Sequence, residues 1–412
     1  MKILILSQYF RPETGAGSER VSSLADYLTA EGHLVRVISG LPNYPTGILY
    51  PGYKLVFWKR EEAFGIKITR SLVFPTKYSS TIRRLTNYFS FMFSAFLTGL
   101  FETKSDVIIA SSPPLTVGLV GLLLSYLYRK PLVFEPRDVW PGAAVELGVL
   151  KNKLIISVAR SLERAIYKRA SFIITPTAAT KKILLADNPF LTEDRVKVSA
   201  NSVDLERFDS QRIASTIVDK YKKPSNFLIV YTGTIGLQQG MSTLIGAAKL
   251  LKNEKQILFL LVGEGVDKEK ITKEKEKFNL TNIILSPSVD YSEIPSILAK
   301  ADAGLALLKK NRYQDAALAV KTFDYMAAGK PIIVSGGETM RKLVEENKVG
   351  FWSPPEDSGA LVRQILGAAK SSKETLKALG DNGRSLVEKT YNKKKQVEAW
   401  NEVLDSLKKE KK

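Results

Sequence analysis

The sequence predicts two doubly wound α/β domains in tandem, each a parallel sheet with helices on both faces. Short apolar runs rich in β-branched residues alternate with helical patterns, the signature of βαβ units. The rhythm lapses once, around 199-SANSVDLERF-208, and then restarts in the same form. The chain has 412 residues, too many for one ordinary core and suited to two of roughly 100–200 residues each.

In the first half KILILS (2–7) is a buried strand, SERVSSLADYLTAEG (18–32) a helix stopped by Gly32, and LVRVIS (34–39) the next strand. DVIIA (106–110), a helix over 115–128, PLVFE (131–135), the helix KLIISVARSLERAIYKRA (153–170) and FIITP (172–176) continue the series. The second half repeats it. FLIVYTG (227–233) leads to a helix ending near Lys252, followed by ILFLLVG (257–263), IILS (283–286), a helix over 293–302 and AGLALL (303–308). A helix carrying Lys321 and PIIVS (331–335) close it. The expected division is 1–203 and 204–385, and no short repeat points to a solenoid.

Composition narrows the chemistry. Hydrophobic residues are 44% and charged residues 25%, as in globular proteins. With no cysteine, disulfide and thiolate chemistry is excluded, and a cytoplasmic setting is the simpler expectation. The one histidine, His33, follows a helix stop, so a Ser-His-Asp triad or a histidine-rich metal site has little to be built from. The net charge of +19 favours anionic partners: phosphates, anionic lipid or nucleic acid. Part of that surplus lies in solvated segments such as KEKITKEKEK (268–277) and the tail LKKEKK (407–412), which need no ligand. The amino terminus does not read as a signal peptide, and the apolar run 115–128 is shorter than the roughly 20 residues that span a bilayer.

Open α/β sheets bind ligands outside the carboxyl ends of their strands, and the candidate residues fall there. Gly15, Gly17 and Glu19 in RPETGAGSER follow the first strand and open a helix, whose free N–H groups favour an anion or a hydroxyl; the alternative is a plain turn. Arg137 and Asp138, with Trp140 and Pro141, follow PLVFE, either as a functional pair or as a salt bridge at a packing corner. In the second half Gly233 and Gly236 follow FLIVYTG, and Gly263, Glu264 and Gly265 follow ILFLLVG, positions from which backbone amides reach a phosphate. Lys321 and Asp324 stand one helical turn apart in KTFDYMAAGKP. They are either an intrahelical ion pair or a cation for a diphosphate beside an acceptor for ribose hydroxyls.

The segment IRRLTNYFSFMFSAFLTGLFE (82–102) sets Arg83, Asn87, Ser90, Ser94, Thr98 and Glu102 on one narrow stripe of an otherwise apolar helix. It reads as a buried helix or as an element lying in a membrane interface, where Lys77, Arg83 and Arg84 would meet anionic lipid. The charge also permits a nucleic-acid-binding protein, although no recognition motif accompanies it.

These residues together resemble glycosyltransferase family 4 of the GT-B fold, in particular the bacterial subgroup that builds polysaccharide repeat units, with colanic-acid and fucosamine transferases as examples. The resemblance covers nearly the whole chain through SQYFRPETGAGSERV, RDVWP, NSVDLERF, GTIGLQQGMSTLI, VGEG and KTFDYMAAGKPII, the last being the most specific. It implies two Rossmann-like domains facing a central cleft, with a C-terminal helix, about 386–412, returning to the first. It further implies a retaining, metal-independent transferase without cofactor. Its donor, a nucleotide-diphosphate sugar and by default a UDP-sugar, would lie on Gly233, Gly236, Gly263, Glu264, Lys321 and Asp324. Arg137 and Asp138 would be catalytic, and Gly15, Gly17 and Glu19 would form the acceptor or phosphate loop. The implied acceptor is an undecaprenyl-diphosphate-linked saccharide at the inner face of the membrane, with an anionic membrane surface as partner and no nucleic acid. The sequence departs from the family pattern in three respects. Ala316 stands where a second acid is common, Thr234 and Gln239 where Arg and Lys hold the diphosphate, and Arg137 where a histidine often precedes the aspartate.

Overall fold

The computed structural model describes residues 1–76, 81–102, 105–209, 216–223 and 225–409. Lys77 lies outside the described residues, as do the last three of the tail. The chain divides into two compact units, residues 1–200 with 396–412, and residues 201–395. Residues 201–203 and 386–395, expected in the first domain, therefore belong to the second unit. The final amphipathic stretch is two helices, Lys373–Thr390 and Lys393–Lys409, broken at Tyr391 and Asn392. The break is held by pairing: Val203 forms a parallel bridge with Asn392 and donates its N–H to the Tyr391 carbonyl at 2.9 Å.

The first unit is built on strands β1 (Lys2–Leu6), β2 (Leu34–Gly40), β3 (Trp58–Ala63), β4 (Ile66–Ser71), β5 (Val107–Ser112), β6 (Leu132–Pro136), β7 (Phe172–Thr175) and β8 (Val196–Val198). Their spatial order is β3-β4-β2-β1-β5-β6-β7-β8. All neighbours are parallel except β3 and β4. That hairpin was not anticipated, because WKREEA is a polar edge strand with no apolar alternation. Phe64 and Gly65, at φ 55° and 72°, make the two-residue turn that matches strand twist. The helices Ala16–Ala30 and Lys393–Lys409 cover one face of the sheet, burying Val21, Leu24 and Leu28 with Trp400, Val403 and Leu404. Leu115–Leu127 packs on the other face. A Cβ at its Gly121 would stand 2.8 Å from that of Ala110 on β5, so the glycine sets this close approach.

Beside it, Thr81–Gly99 turns its polar stripe inward. Asn87 and Ser94 are fully buried, and Asn87 donates to the Phe74 carbonyl at 2.9 Å while Ser94 donates to that of Leu72 at 2.6 Å. The serines and asparagine satisfy backbone groups just past β4 that have no ladder partner, and that requirement orients the helix.

The second unit holds β9 (Phe227–Thr232), β10 (Ile257–Val262), β11 (Ile283–Ser286), β12 (Ala303–Leu307), β13 (Ile332–Ser335) and β14 (Gly350–Ser353), in the order β11-β10-β9-β12-β13-β14. Every neighbouring pair is parallel. Alternate residues of β9 enter the two cores: Leu228 and Val230 join Phe323, Met340 and Val387, whereas Ile229 and Tyr231 join Leu244, Ile271 and Ile365. No helix among the described residues is long and apolar enough to cross a membrane.

Candidate active site

In the second unit the chain leaves β9 at Gly233, which adopts φ 108°, and folds against the loop that follows β10. Gly233 N–H donates to Val262 O at 2.9 Å, and Ile235 N–H donates to Glu264 O at 2.8 Å. A Cβ on Gly263 would lie 1.9 Å from Gly233 O, and one on Gly265 would lie 2.1 Å from Ile235 O. The glycines of GEG are thus required by the meeting of two protein backbones, not by the approach of a ligand. Lys268 Nζ secures the loop by donating to Gly263 O at 2.9 Å, Ser286 O at 3.0 Å and Glu264 Oε1 at 2.6 Å. Glu264 is therefore already engaged by a lysine from KEKITKEKEK, a segment that reads from sequence as merely solvated.

The helix Lys321–Ala327 is placed by Tyr325, whose hydroxyl accepts from Thr232 N–H at 2.9 Å and donates to Leu305 O at 3.1 Å. One side chain thereby ties the helix to the end of β9 and the middle of β12, and the first residue of the helix, Lys321, arrives beside Gly233. Its Nζ would be 3.8 Å from a Cβ at Gly233 and lies 3.4 Å from the centroid of the Tyr231 ring. This Nζ is buried and, among the described residues, has no hydrogen-bond acceptor. Burial drives the ammonium well below its usual pKa, and nearby Asp324 opposes that shift only in part. No ion pair joins Lys321 to Asp324 among the described residues, and Asp324 Oδ1 accepts from the hydroxyl of Tyr291 at 2.5 Å. Tyr291 in turn lies under the Arg207 guanidinium, 4.4 Å from ring centroid to Cζ. Gly236 lies beside Gln239 and Thr234, whose side-chain atoms would stand 3.3 and 3.4 Å from a Cβ there. Thr234 accepts the Tyr231 hydroxyl on its carbonyl at 2.5 Å, and Ala316 is buried.

In the first unit, Gly15 precedes the helix Ala16–Ala30 and Glu19 lies half-exposed on its first turn. Gly17 faces Arg137: a Cβ at 17 would be 2.7 Å from one terminal guanidinium nitrogen. Arg137 Nε donates to Ser112 O at 3.0 Å. No ion pair joins it to Asp138 among the described residues, and the Asp138 side chain is exposed at the turn after β6. The structure so brings Gly17 and Arg137 together at the carboxyl ends of β1 and β6.

Two supporting residues escaped the sequence reading. Arg20, buried, bonds Glu135 Oε1 through Nε at 2.8 Å and the carbonyls of Ser199 and Ala200 at 2.8 and 3.0 Å. The available signal was Glu135 itself, a carboxylate ending an apolar strand and in need of a buried cation. Glu13, also buried, accepts from the amides of Asn43 at 2.8 Å, Tyr44 at 2.9 Å and Phe10 at 3.3 Å, pinning the glycine loop to the chain after β2. Burial pushes its carboxyl up to about 7, against those amides and Arg70. Because the folded state holds this proton more tightly, the group's contribution to stability falls as pH rises from 4.5 to about 7. Glu13→Gln should abolish that pH dependence and, by turning an NH2 toward the Phe10 amide, cost about 1–3 kcal/mol. Urea unfolding at several pH values checks both.

Comparison with known proteins gives a consistent set of matches. A family described as "Glycosyl transferase 4-like domain" matches residues 15–201, and one described as "Glycosyl transferases group 1" matches residues 215–386. The chain is 27% identical over 345 residues to WcaI of Escherichia coli, a protein named for colanic acid biosynthesis glycosyl transfer, covering 81% of this chain and 83% of that one. It is 24% identical over 306 residues to WbjE of Pseudomonas aeruginosa, named as a glycosyltransferase, covering 74% of this chain and 75% of that one. Among solved structures, sucrose-phosphate synthase from Thermosynechococcus elongatus matches with a TM-score of 0.77 at 17% identity over 98% of each chain. Anabaena HepE in complex with UDP-glucose matches with a TM-score of 0.70 at 17% identity, over 98% of this chain and 100% of that one.

Proposed function

The chain belongs to the family-4-type glycosyltransferases of the GT-B fold, and from that premise we propose that it builds a surface polysaccharide. In this reading it moves a sugar from a UDP-sugar to an undecaprenyl-diphosphate-linked saccharide, with retention of anomeric configuration. The observation that carries the proposal is Lys321, a buried ammonium with no acceptor of its own among the described residues, beside the turn after β9. A buried cation without a partner is costly unless a ligand supplies the anion. The names of WcaI and WbjE support transfer in polysaccharide synthesis, and the HepE complexes with UDP and UDP-glucose support the donor class.

In the proposed reaction Lys321 neutralises the diphosphate as the bond from the anomeric carbon to the β-phosphate oxygen breaks and its electron pair passes to that oxygen. The protein cation takes this role without a metal ion. Asp324, one helical turn from Lys321, accepts a ribose hydroxyl. On the first unit Asp138 orients the acceptor hydroxyl, whose oxygen bonds the anomeric carbon on the face the diphosphate leaves while its proton passes to the departing β-phosphate oxygen, and Arg137 beside Gly17 carries positive charge toward the acceptor's phosphate.

Titration calorimetry with UDP, GDP and ADP tests the donor, and turnover in excess chelator tests metal independence. Asp324→Asn should keep the fold and lose about tenfold or more in UDP affinity, the value of a hydrogen bond to a charged group. Undiminished UDP binding by that variant would place the ribose elsewhere.

A further inference from the structure

The strand β3 (Trp58–Ala63) ends the first sheet: β4 pairs with it on one side and, among the described residues, no strand pairs with it on the other. Its register against β4 fixes which backbone groups are left over. Phe57 O accepts from Leu72 N–H at 2.9 Å, which makes Phe57 and Leu72 a hydrogen-bonded pair. Bonded and open pairs alternate along an antiparallel ladder, so Lys59, Glu61 and Ala63 bond β4 while the N–H and C=O groups of Trp58, Arg60 and Glu62 point out of the sheet. Those outward groups have no hydrogen-bond partner among the described residues. Natural sheet edges are usually blunted by proline, a bulge or a covering segment. This strand keeps six residues in unbroken register, contains no proline, and leaves Trp58, Lys59, Arg60 and Glu62 exposed.

The charges on the edge run as two cations followed by two acids, Lys59-Arg60-Glu61-Glu62. An antiparallel copy of the same strand reverses that order and sets cations against acids. Ladder bonds form only where outward residues oppose outward residues, so a twofold axis between two such strands must pass through a residue and not between two. An axis through Lys59 or Arg60 opposes like cations, and one through Glu62 opposes free carboxylates. An axis through Glu61 sets Arg60 against Glu62 twice and brings exposed Trp58 level with exposed Phe64 at each end. The carboxylates it opposes are already neutralised: Glu61 Oε1 accepts from Arg70 Nε at 2.6 Å, and Lys59 Nζ stands 3.8 Å from Oε2. Arg60 and Glu62 have no ion-pair partner among the described residues, and Arg60 shares a face with Trp58, its Cζ 4.9 Å from the ring centroid.

We infer that β3 is a docking surface for β3 of a second copy of this chain, the two strands joined antiparallel about a twofold axis at Glu61. The first sheets of the two copies then become one continuous sheet, through an interface in which each copy offers the same strand. The outward backbone groups of Arg60 and Glu62 supply the ladder bonds, and the two Arg60–Glu62 ion pairs fix the register. A guard against strand pairing needs only charge. This order of charges admits one partner, the strand itself reversed. The inference is independent of the nucleotide site.

Sedimentation of the parent at micromolar concentration should give twice the mass of one chain. Arg60→Glu and Glu62→Arg each place like charges at both contacts and should each weaken association by about tenfold or more. Mixed in equal amounts the two variants should associate again, because each supplies the sign the other lacks. Both side chains are exposed, so circular dichroism and melting of the separate variants should match the parent and show that they fold. The chain contains no cysteine, which allows a test of register as well. Open pairs of an antiparallel ladder hold their Cα atoms about 4.5 Å apart, within the reach of a disulfide. Lys59 of one copy opposes Ala63 of the other, so Lys59→Cys and Ala63→Cys should each remain single chains when oxidised alone by dioxygen with copper phenanthroline. Their equimolar mixture should cross-link, two thiols giving up two protons and two electrons to the dioxygen. A parent that sediments as a single chain would overturn the inference. So would a dimer indifferent to both charge reversals, which would put the contact elsewhere, or a cysteine mixture that cross-links no better than either variant alone.

Discussion

Lys321→Met is expected to weaken UDP binding by roughly ten- to a hundredfold, since a charge-assisted hydrogen bond contributes about 1.5–3 kcal/mol. The same substitution should make the free protein more stable. Met matches the stem of lysine, its sulfur is accommodated against the Tyr231 ring, and a buried ammonium lacking an acceptor disappears. Removing such a group is worth about 1–3 kcal/mol, so the variant should melt later than the parent without ligand and gain less from UDP. The sign of the pH dependence follows from burial. With its pKa lowered in the free protein, Lys321 costs stability at neutral pH, and that cost is relieved as pH rises from the lowered value toward 10.5. A bound diphosphate raises the pKa again, so UDP affinity should fall with rising pH between the free and bound values, with proton uptake on binding. Calorimetry in buffers of different ionisation enthalpy measures that uptake, which Lys321→Met should lack. Equal affinity and equal melting in parent and variant would show that Lys321 neither binds the diphosphate nor costs the free protein stability.

Arg20→Met is expected to be the most destabilising single change named here, by about 3–5 kcal/mol, the usual cost of leaving one partner of a buried ion pair alone. It strands Glu135 and removes the donors to Ser199 O and Ala200 O. Ser111, which donates to the other Glu135 oxygen at 2.6 Å, compensates little. Combining Arg20→Met with Glu135→Leu should recover part of the loss, since no charge is then buried unpaired. Trp58, Trp140 and Trp400 lie in the first unit and Trp352 in the second. Fluorescence-detected urea unfolding in a Trp352→Phe background therefore reports on the unit concerned. A double variant less stable than the single one would show that Glu135 is held by something other than Arg20.

The parallel strands were legible in the sequence because a strand buried on both faces leaves an uninterrupted apolar run, and runs such as KILIL and ILFLLV are unambiguous. The polar edge strand Trp58–Ala63 left no such trace. The candidate residues were found by their place after strand ends, which needs only the order of elements. Their supports were not. Tyr231 meets Lys321 and Tyr291 meets Asp324 across long stretches of sequence, and nothing local in a tyrosine says whose carboxylate or ammonium it will meet.

By itself the sequence determined the tandem α/β architecture and the exclusion of thiol and triad chemistry, and it singled out Lys321, Asp324, Arg137 and Asp138 as candidates. These are consequences of periodicity and composition, which are properties of neighbouring residues. Tertiary structure alone decided which reading of each was realised. The ion pair between Lys321 and Asp324 gave way to an ammonium on the Tyr231 ring and a carboxylate on Tyr291. The glycine of VGEG answered to the carbonyl of Gly233. The stripe of Asn87, Ser94 and Thr98 turned inward, where Asn87 and Ser94 hydrogen-bond the carbonyls of Phe74 and Leu72 beside β4. An amphipathic pattern specifies two faces of a helix; which of them is buried depends on what the rest of the chain leaves unsatisfied.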